Sequence, residues 1–92
     1  MQYMKVLWKH AHPNEPVTLY SELDDARRET RKVEVFRDGQ LGYAGVSTSK
    51  GSTALGIVPI PPISQIALDP EFEPSKITRD EFEQIWRRAI SS

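Results

Sequence analysis

The chain contains no cysteine. That excludes a disulfide framework, a thiolate metal site, a thiol nucleophile and redox sensing through thiols. It has almost no charge imbalance: 12 basic against 13 acidic side chains leave a formal net charge of −1. No global field is therefore available to gather a polyanion or to hold the chain on an anionic membrane. Long apolar runs are also missing. The longest nearly apolar stretch, Ala54 to Ile63, is interrupted by Pro59, Pro61 and Pro62 and falls far short of the roughly 20 residues that cross a bilayer. Met1 to Trp8 carries Lys5 in its middle and lacks the charged-then-apolar plan of a signal peptide, so a cytoplasmic location is the expectation. Two nucleotide and hydrolase signatures fail as well. Gly45 to Ser52 ends in Lys50-Gly51-Ser52, the wrong order for a phosphate-binding loop, and no serine stands in Gly-x-Ser-x-Gly. No cofactor motif is present.

What remains is enough for one folded unit. The 92 residues suit a single domain over 1–92, and 38 % hydrophobic with 27 % charged residues is ordinary for a packed core. Tyr3 to Trp8 alternates as a strand, His10 to Pro16 reads as a loop, and Val17 to Leu23 alternates again. Asp24-Asp25 supplies turn chemistry. Thr30 to Arg37 is a third strand running into Asp38-Gly39, a short-range hairpin signal. A two-residue turn pairs Phe36 with Leu41 and Glu34 with Tyr43. Val33 and Val35 then lie behind Gly42 and Ala44, on the opposite face from Phe36, Leu41 and Tyr43. Gly39 is expected to need positive φ, whereas Gly51 sits in a permissive connector or functional loop, Gly45 to Gly56. Ile57 to Ile60 is expected as a short edge strand. A short helix is expected from Pro61-Pro62 through Leu68, with Ile63, Ile66 and Ala67 inward.

The last element is the clearest. Thr78-x-x-Glu81 is a capping box, Ile77 before it a hydrophobic staple, and Phe82, Ile85, Trp86, Ala89 and Ile90 form one apolar stripe. The expectation is an α+β domain: an antiparallel β-meander of three or four strands with the C-terminal helix packed on one face.

Candidate sites are few, and each has a plain structural alternative. His10 and His12 could share the face of an extended segment and bind a metal, with Glu15 or Glu22 as companions. Two loop histidines in solvent are the simpler reading, and no metal is expected. Glu22, Asp24, Asp25 and Glu29 form an acidic cluster that could do acid–base work if burial raised one pKa. Arg27, Arg28, Arg31 and Lys32 form a basic run that could bind single-stranded nucleic acid with help from Trp8, Tyr20 or Tyr43. Glu29 and Glu34 interrupt that run, so cross-strand ion pairs between the acidic and basic runs are the simpler account.

Several words of the sequence are familiar as a set: Tyr3-x-Lys5-Val6, Glu15-Pro16-Val17, Leu19-Tyr20-Ser21-Glu22-Leu23-Asp24, Arg31 through Gly39, Tyr43-Ala44, Pro59-x-Pro61-Pro62, Asp69 through Pro74, and Phe82-Glu83-x-x-Trp86. Together they resemble a family of small bacterial proteins known as a domain of unknown function. The likeness covers nearly the whole chain apart from the Gly45 to Gly56 loop. It implies a stand-alone bacterial domain and, by analogy of size and charge, an immunity-type role beside a toxin. It brings no catalytic or cofactor residue. The expected function is a protein-binding module, immunity-type or accessory, using Trp8, Tyr20, Glu22, Asp24, Arg28, Arg31 and Tyr43. Two alternatives stand beside it: a small enzyme or nucleotide-binding protein using carboxylates and His10, and an RNA-binding domain. The expected partner is another protein, with neither membrane nor nucleic acid.

Overall fold

A computed structural model describes residues 1–92. Six strands and two helices follow in the order β1 (Gln2–Trp8), β2 (Pro16–Leu23), β3 (Glu29–Phe36), β4 (Leu41–Ala44), β5 (Ser49–Lys50), α1 (Ile63–Ile66), β6 (Phe72–Lys76) and α2 (Arg79–Ile90). The strands form one sheet in the order β5-β4-β3-β2-β1-β6, every neighbouring pair antiparallel. The first five are a meander, and β6 returns to the free edge of β1. The α+β class and the C-terminal helix match the expectation. The strand number does not: the sheet has six strands rather than three or four.

The two additional strands have different origins. β5 is a two-residue pairing inside the Gly45 to Gly56 connector, where Tyr43 opposes Lys50. β6 contains Pro74, which argues against a central strand and is compatible with an edge. Backbone bonds join Lys9 N to Glu71 O at 2.7 Å and Ile77 N to Tyr3 O at 3.1 Å. By antiparallel alternation the odd residues of β6 bond β1 and the even ones face outward. Of the outward residues, Pro74 has no N–H and Phe72 N donates to Asp69 O at 3.0 Å. The outer edge is thus blunted against another strand.

The β3–β4 hairpin differs from expectation by one register step. Phe36 N donates to Gln40 O and Gly39 N to Phe36 O, both at 2.9 Å, and Gly39 has φ +88°. The loop therefore has three residues with glycine in the left-handed position, not two. Val33 opposes Tyr43, Glu34 opposes Gly42 and Val35 opposes Leu41. A one-residue slip moves every side chain to the other face. Val33 and Val35 consequently join Leu41 and Tyr43 on one face, and Glu34 joins Gly42 and Ala44 on the other. Gly51 also has positive φ, +75°, so the connector is more constrained at that point than expected.

The helix face of the sheet carries Val33, fully buried with Ile85 and Ala89, and half-buried Tyr20, Val35, Leu41, Tyr43 and Trp86 pack against them. α2 starts at its capping box: Glu81 N donates to Thr78 Oγ1 at 3.1 Å and Thr78 N to Glu81 Oε1 at 3.2 Å. Phe82 is fully buried beneath it and contributes about 2–3 kcal/mol of apolar transfer.

The opposite face carries Met4, Val6 and Leu23, with Leu19, Ile60, Ile63, Ile66 and Phe72 packed on them. The cover there is the chain from Thr53 through α1. Ile57 to Ile60 is not a strand; Pro59 and Pro61 remove ladder donors, and Ile60 N bonds Arg27 O at 2.8 Å instead. α1 is shorter than expected because Pro62 is its N-cap at φ −58°, ψ 153°, outside the helical region. Ile63 and Ile66 are half-buried, whereas Ala67 and Leu68 are exposed.

Candidate functional site: an apolar cleft on the loop face

The cover over the second face is incomplete. Between the sheet and the 56–66 segment lies an open cleft of about 490 Å³. Met4, Val6 and Leu19 supply its floor, and Ile60, Ile66 and Phe72 its walls. Alternation along β1 and β2 puts the floor residues on one side, and β6 adds Phe72 opposite Trp8. One end is polar. Ser21 Oγ donates to Glu29 Oε2 at 3.0 Å and Gly56 N to Glu29 Oε1 at 2.7 Å. Lys32 Nζ stands 3.7 Å from Glu29 Oε1, 3.9 Å from Glu34 Oε2 and 3.4 Å from Ala54 O. Each of these approaches is longer than a good ammonium hydrogen bond. An apolar cleft with a few convergent polar groups is the usual form of a binding site. A wider depression of about 620 Å³ at the hairpin end is walled by exposed side chains such as Arg37, Asp38, Lys50 and Ser52.

The cleft owes its outer wall to Arg27. Asp24 closes the β2–β3 turn by accepting from Ala26 N and Arg28 N, both at 2.9 Å. This places Arg27 at φ +61°, a costly region for a side chain with a Cβ. Its guanidinium donates to Ile60 O and Pro61 O at 2.8 Å each, and to Gln2 Oε1 at 2.6 Å. These bonds offset the backbone strain and fasten the 60–61 segment across the sheet. Thr53 forms a second fastening point: its Oγ1 donates to Glu34 Oε1 at 2.6 Å, over Gly42.

The residues singled out from sequence are not assembled into one site. Glu22 and Arg31 are opposite one another on β2 and β3, as the cross-strand ion-pair reading expected, but they lie under α2. Arg31 donates from Nη2 to Glu22 Oε2 at 2.6 Å and from Nε to Glu22 Oε1 at 2.9 Å, and from Nη1 to Glu83 Oε1 at 2.9 Å. Its guanidinium also sits 5.0 Å from the Phe82 ring centroid and 5.1 Å from that of Trp86. The Arg31 hydrogen bonds, helped by Thr30 Oγ1, hold the Glu22 carboxyl down at about 2. Arg31 likewise lowers Glu83, and the two carboxylates, Glu22 first, raise Arg31. Tyr3 is raised by burial and by Glu22 beside it. This is a pin between sheet and helix.

Tyr43 is on the same face, edge-on to Trp86 at 5.5 Å, and Tyr20 lies under Lys5 Nζ at 5.7 Å. Trp8 is at the far end of β1, donating from Nε1 to Glu71 Oε1 at 3.1 Å, with the His10 ring tilted against it at 4.2 Å between centroids. Asp24 is the turn cap, Asp25 is exposed, and Arg28 projects into solvent. Both ring nitrogens of His10 are engaged: Nδ1 accepts from His12 N at 2.9 Å, which assigns Nε2 as the donor to Pro16 O at 2.7 Å. No nitrogen of His10 is left for a metal, and Glu15 and Glu22 are not grouped with it. The cleft was missed because its residues come from five separate segments. Only the β-branched and apolar alternation of β1 and β2 hinted at its floor.

No curated protein and no solved structure matches the chain. A family model does match, over residues 2–91. The match takes in both sheet faces, the cleft and α2, and the chain belongs to the family described as Domain of unknown function (DUF6881).

Proposed function

We propose that this chain is a protein-binding module and that a partner inserts an apolar side chain into the loop-face cleft. The observation that carries the reading is the cleft itself: open, apolar on floor and walls, and closed at one end by fixed polar groups. Its polar end holds two carboxylates, Glu29 and Glu34, around one ammonium, Lys32. The inserted segment is therefore apolar with neutral or basic neighbours, since an acidic one would meet net negative charge. An immunity-type or accessory role is the sharpest form of this reading.

Other observations weigh against the alternatives. An acid–base role near neutral pH is poorly served by Glu22, held at about 2 by Arg31. The imidazole of His10 is spent on Pro16 O and His12 N. The basic run does not present one face to RNA: Arg31 is turned under α2, Lys32 is at the cleft, and Arg27 is bound to Ile60 and Pro61.

The test is selection of a displayed random-peptide library on the intact protein and on Ile66→Asp, which puts a carboxylate on the cleft wall. Thermal unfolding of both checks that the fold is kept. Apolar peptides with basic flanks, enriched on the parent and lost on Ile66→Asp, are expected. Peptides bound equally by both would place the binding surface elsewhere.

A further inference from the structure

The segment over the cleft has an outward side that the cleft reading does not use. Val58-Pro59-Ile60-Pro61-Pro62 contains two dipeptides of the form x-Pro separated by one residue. Proline fixes φ near −65° at Pro59, Pro61 and Pro62, and the residue before each proline is pushed to extended backbone, which covers Val58, Ile60 and Pro61. Pro62 has φ −58° and ψ 153°, the polyproline II conformation. With three residues per turn, such a helix has three edges. Val58 and Pro61 share one, Pro59 and Pro62 share the second, and Ile60 alone occupies the third.

The burial pattern follows those edges. Val58 is 63 % exposed, and Pro59, Pro61 and Pro62 are all exposed, while Ile60 turns inward to the cleft wall. Arg27 grips the inward side, donating to Ile60 O and Pro61 O at 2.8 Å each, and Ile60 N donates to Arg27 O at 2.8 Å. The carbonyls of Val58 and Pro59 accept no hydrogen bond within the chain. A partner groove lined by aromatic side chains recognises a polyproline II ligand through two x-Pro dipeptides seated between its rings and through donors to free ligand carbonyls. Here both dipeptides are exposed and both carbonyls are without a partner in the chain. The segment is also held in the bound shape beforehand, which removes an ordering cost from association.

We infer that Val58–Pro62 is a preformed polyproline II ridge and that it docks into an aromatic-lined groove of a partner protein. This surface shares Ile60 and Pro61 with the cleft wall and stands otherwise on Val58, Pro59 and Pro62, which do not line it.

The experiment titrates the isotope-labelled, intact chain with a panel of isolated SH3, WW and EVH1 domains, following the Val58 and Ile60 amide signals. At least one domain is expected to bind with Kd of about 100 µM or tighter, shifting those signals. Pro59→Ala and Val58→Asp are expected to weaken it about tenfold or more with thermal unfolding unchanged. Ile66→Asp, which alters only the cleft wall, is expected to leave it intact, so a failed cleft and a failed ridge give different results. The inference is overturned if no domain of the panel shifts those signals, or if Pro59→Ala binds as well as the parent.

Discussion

Replacing Arg31 by methionine tests the pin between sheet and helix through a pH-dependent signature. In the parent, Glu22 is 6 % exposed and receives two bonds from Arg31 and one from Thr30. Its carboxyl is lowered from an ordinary 4.5 to about 2. At about 1.4 kcal/mol per pH unit this is roughly 3 kcal/mol of stability, present above pH 4.5 and lost as the pH falls through the folded value. Arg31→Met keeps the stem over Phe82 and Trp86 but leaves the Glu22 carboxylate buried without its cation. Breaking one side of a buried pair costs about 3–5 kcal/mol, and the partial exposure of Arg31 favours the lower end. Without the guanidinium, burial raises the Glu22 pKa, so the variant loses less on acidification than the parent does. Urea unfolding at pH 6.5 and at pH 3 measures both. The expected gap is about 3 kcal/mol at the higher pH and clearly smaller at the lower. A gap of the same size at both would mean that Arg31 acts through packing on the aromatic rings and not through Glu22.

Phe82→Ala is expected to cost about 3–5 kcal/mol and to exceed Trp86→Ala, because Phe82 is fully buried and Trp86 is not; denaturant midpoints decide. Gly42→Ala puts a Cβ into Thr53 Oγ1. It should release Thr53 from Glu34 and speed hydrogen exchange in the 53–56 segment more than in α2. Gly39→Val and Gly51→Val should each lower the melting temperature, since both sites have positive φ; a harmless Gly51→Val would mean that turn relaxes at no cost.

The sequence made some of this structure legible and hid the rest for physical reasons. α2 was legible because capping and spacing are local: Thr78, Glu81 and the Phe82–Ile85–Ala89 stripe lie within one element. The first three strands were legible because alternation is local as well. The face assignment of β3 and β4 was not, because it depends on whether the Phe36–Gln40 turn holds two or three residues. β6 was hidden by Pro74 and by flanking glutamates, which read as loop until β1 supplies a partner. Acidic and basic runs suggested ion pairs, and the Glu22–Arg31 pair has that form. Nothing local signalled that Arg27, in the same run, would adopt positive φ and reach across to residues 60 and 61.

The two faces of the sheet are closed by different means, and that difference decides where apolar surface is left uncovered. On one face a twelve-residue helix brings Ile85 and Ala89 down onto Val33 and Phe82 against Tyr3, with the Arg31 pin at its side. Cooperative packing of this kind leaves little free apolar surface. On the other face the cover from Thr53 to α1 has no long helix and only a few fastenings: Thr53 to Glu34, Gly56 to Glu29, and Arg27 to Ile60 and Pro61. The cover packs Ile60, Ile63 and Ile66 on Met4, Val6 and Leu23 but is too short to fill the space above them, so a cleft stays open over Leu19 while Met4 and Val6 are each 5 % exposed. The same sparse fastening leaves the outward side of residues 58–62 exposed. Helix packing closes one face and loop tethering leaves a cleft on the other, so the free apolar surface lies beside the tethered segment and not around the aromatic residues under α2.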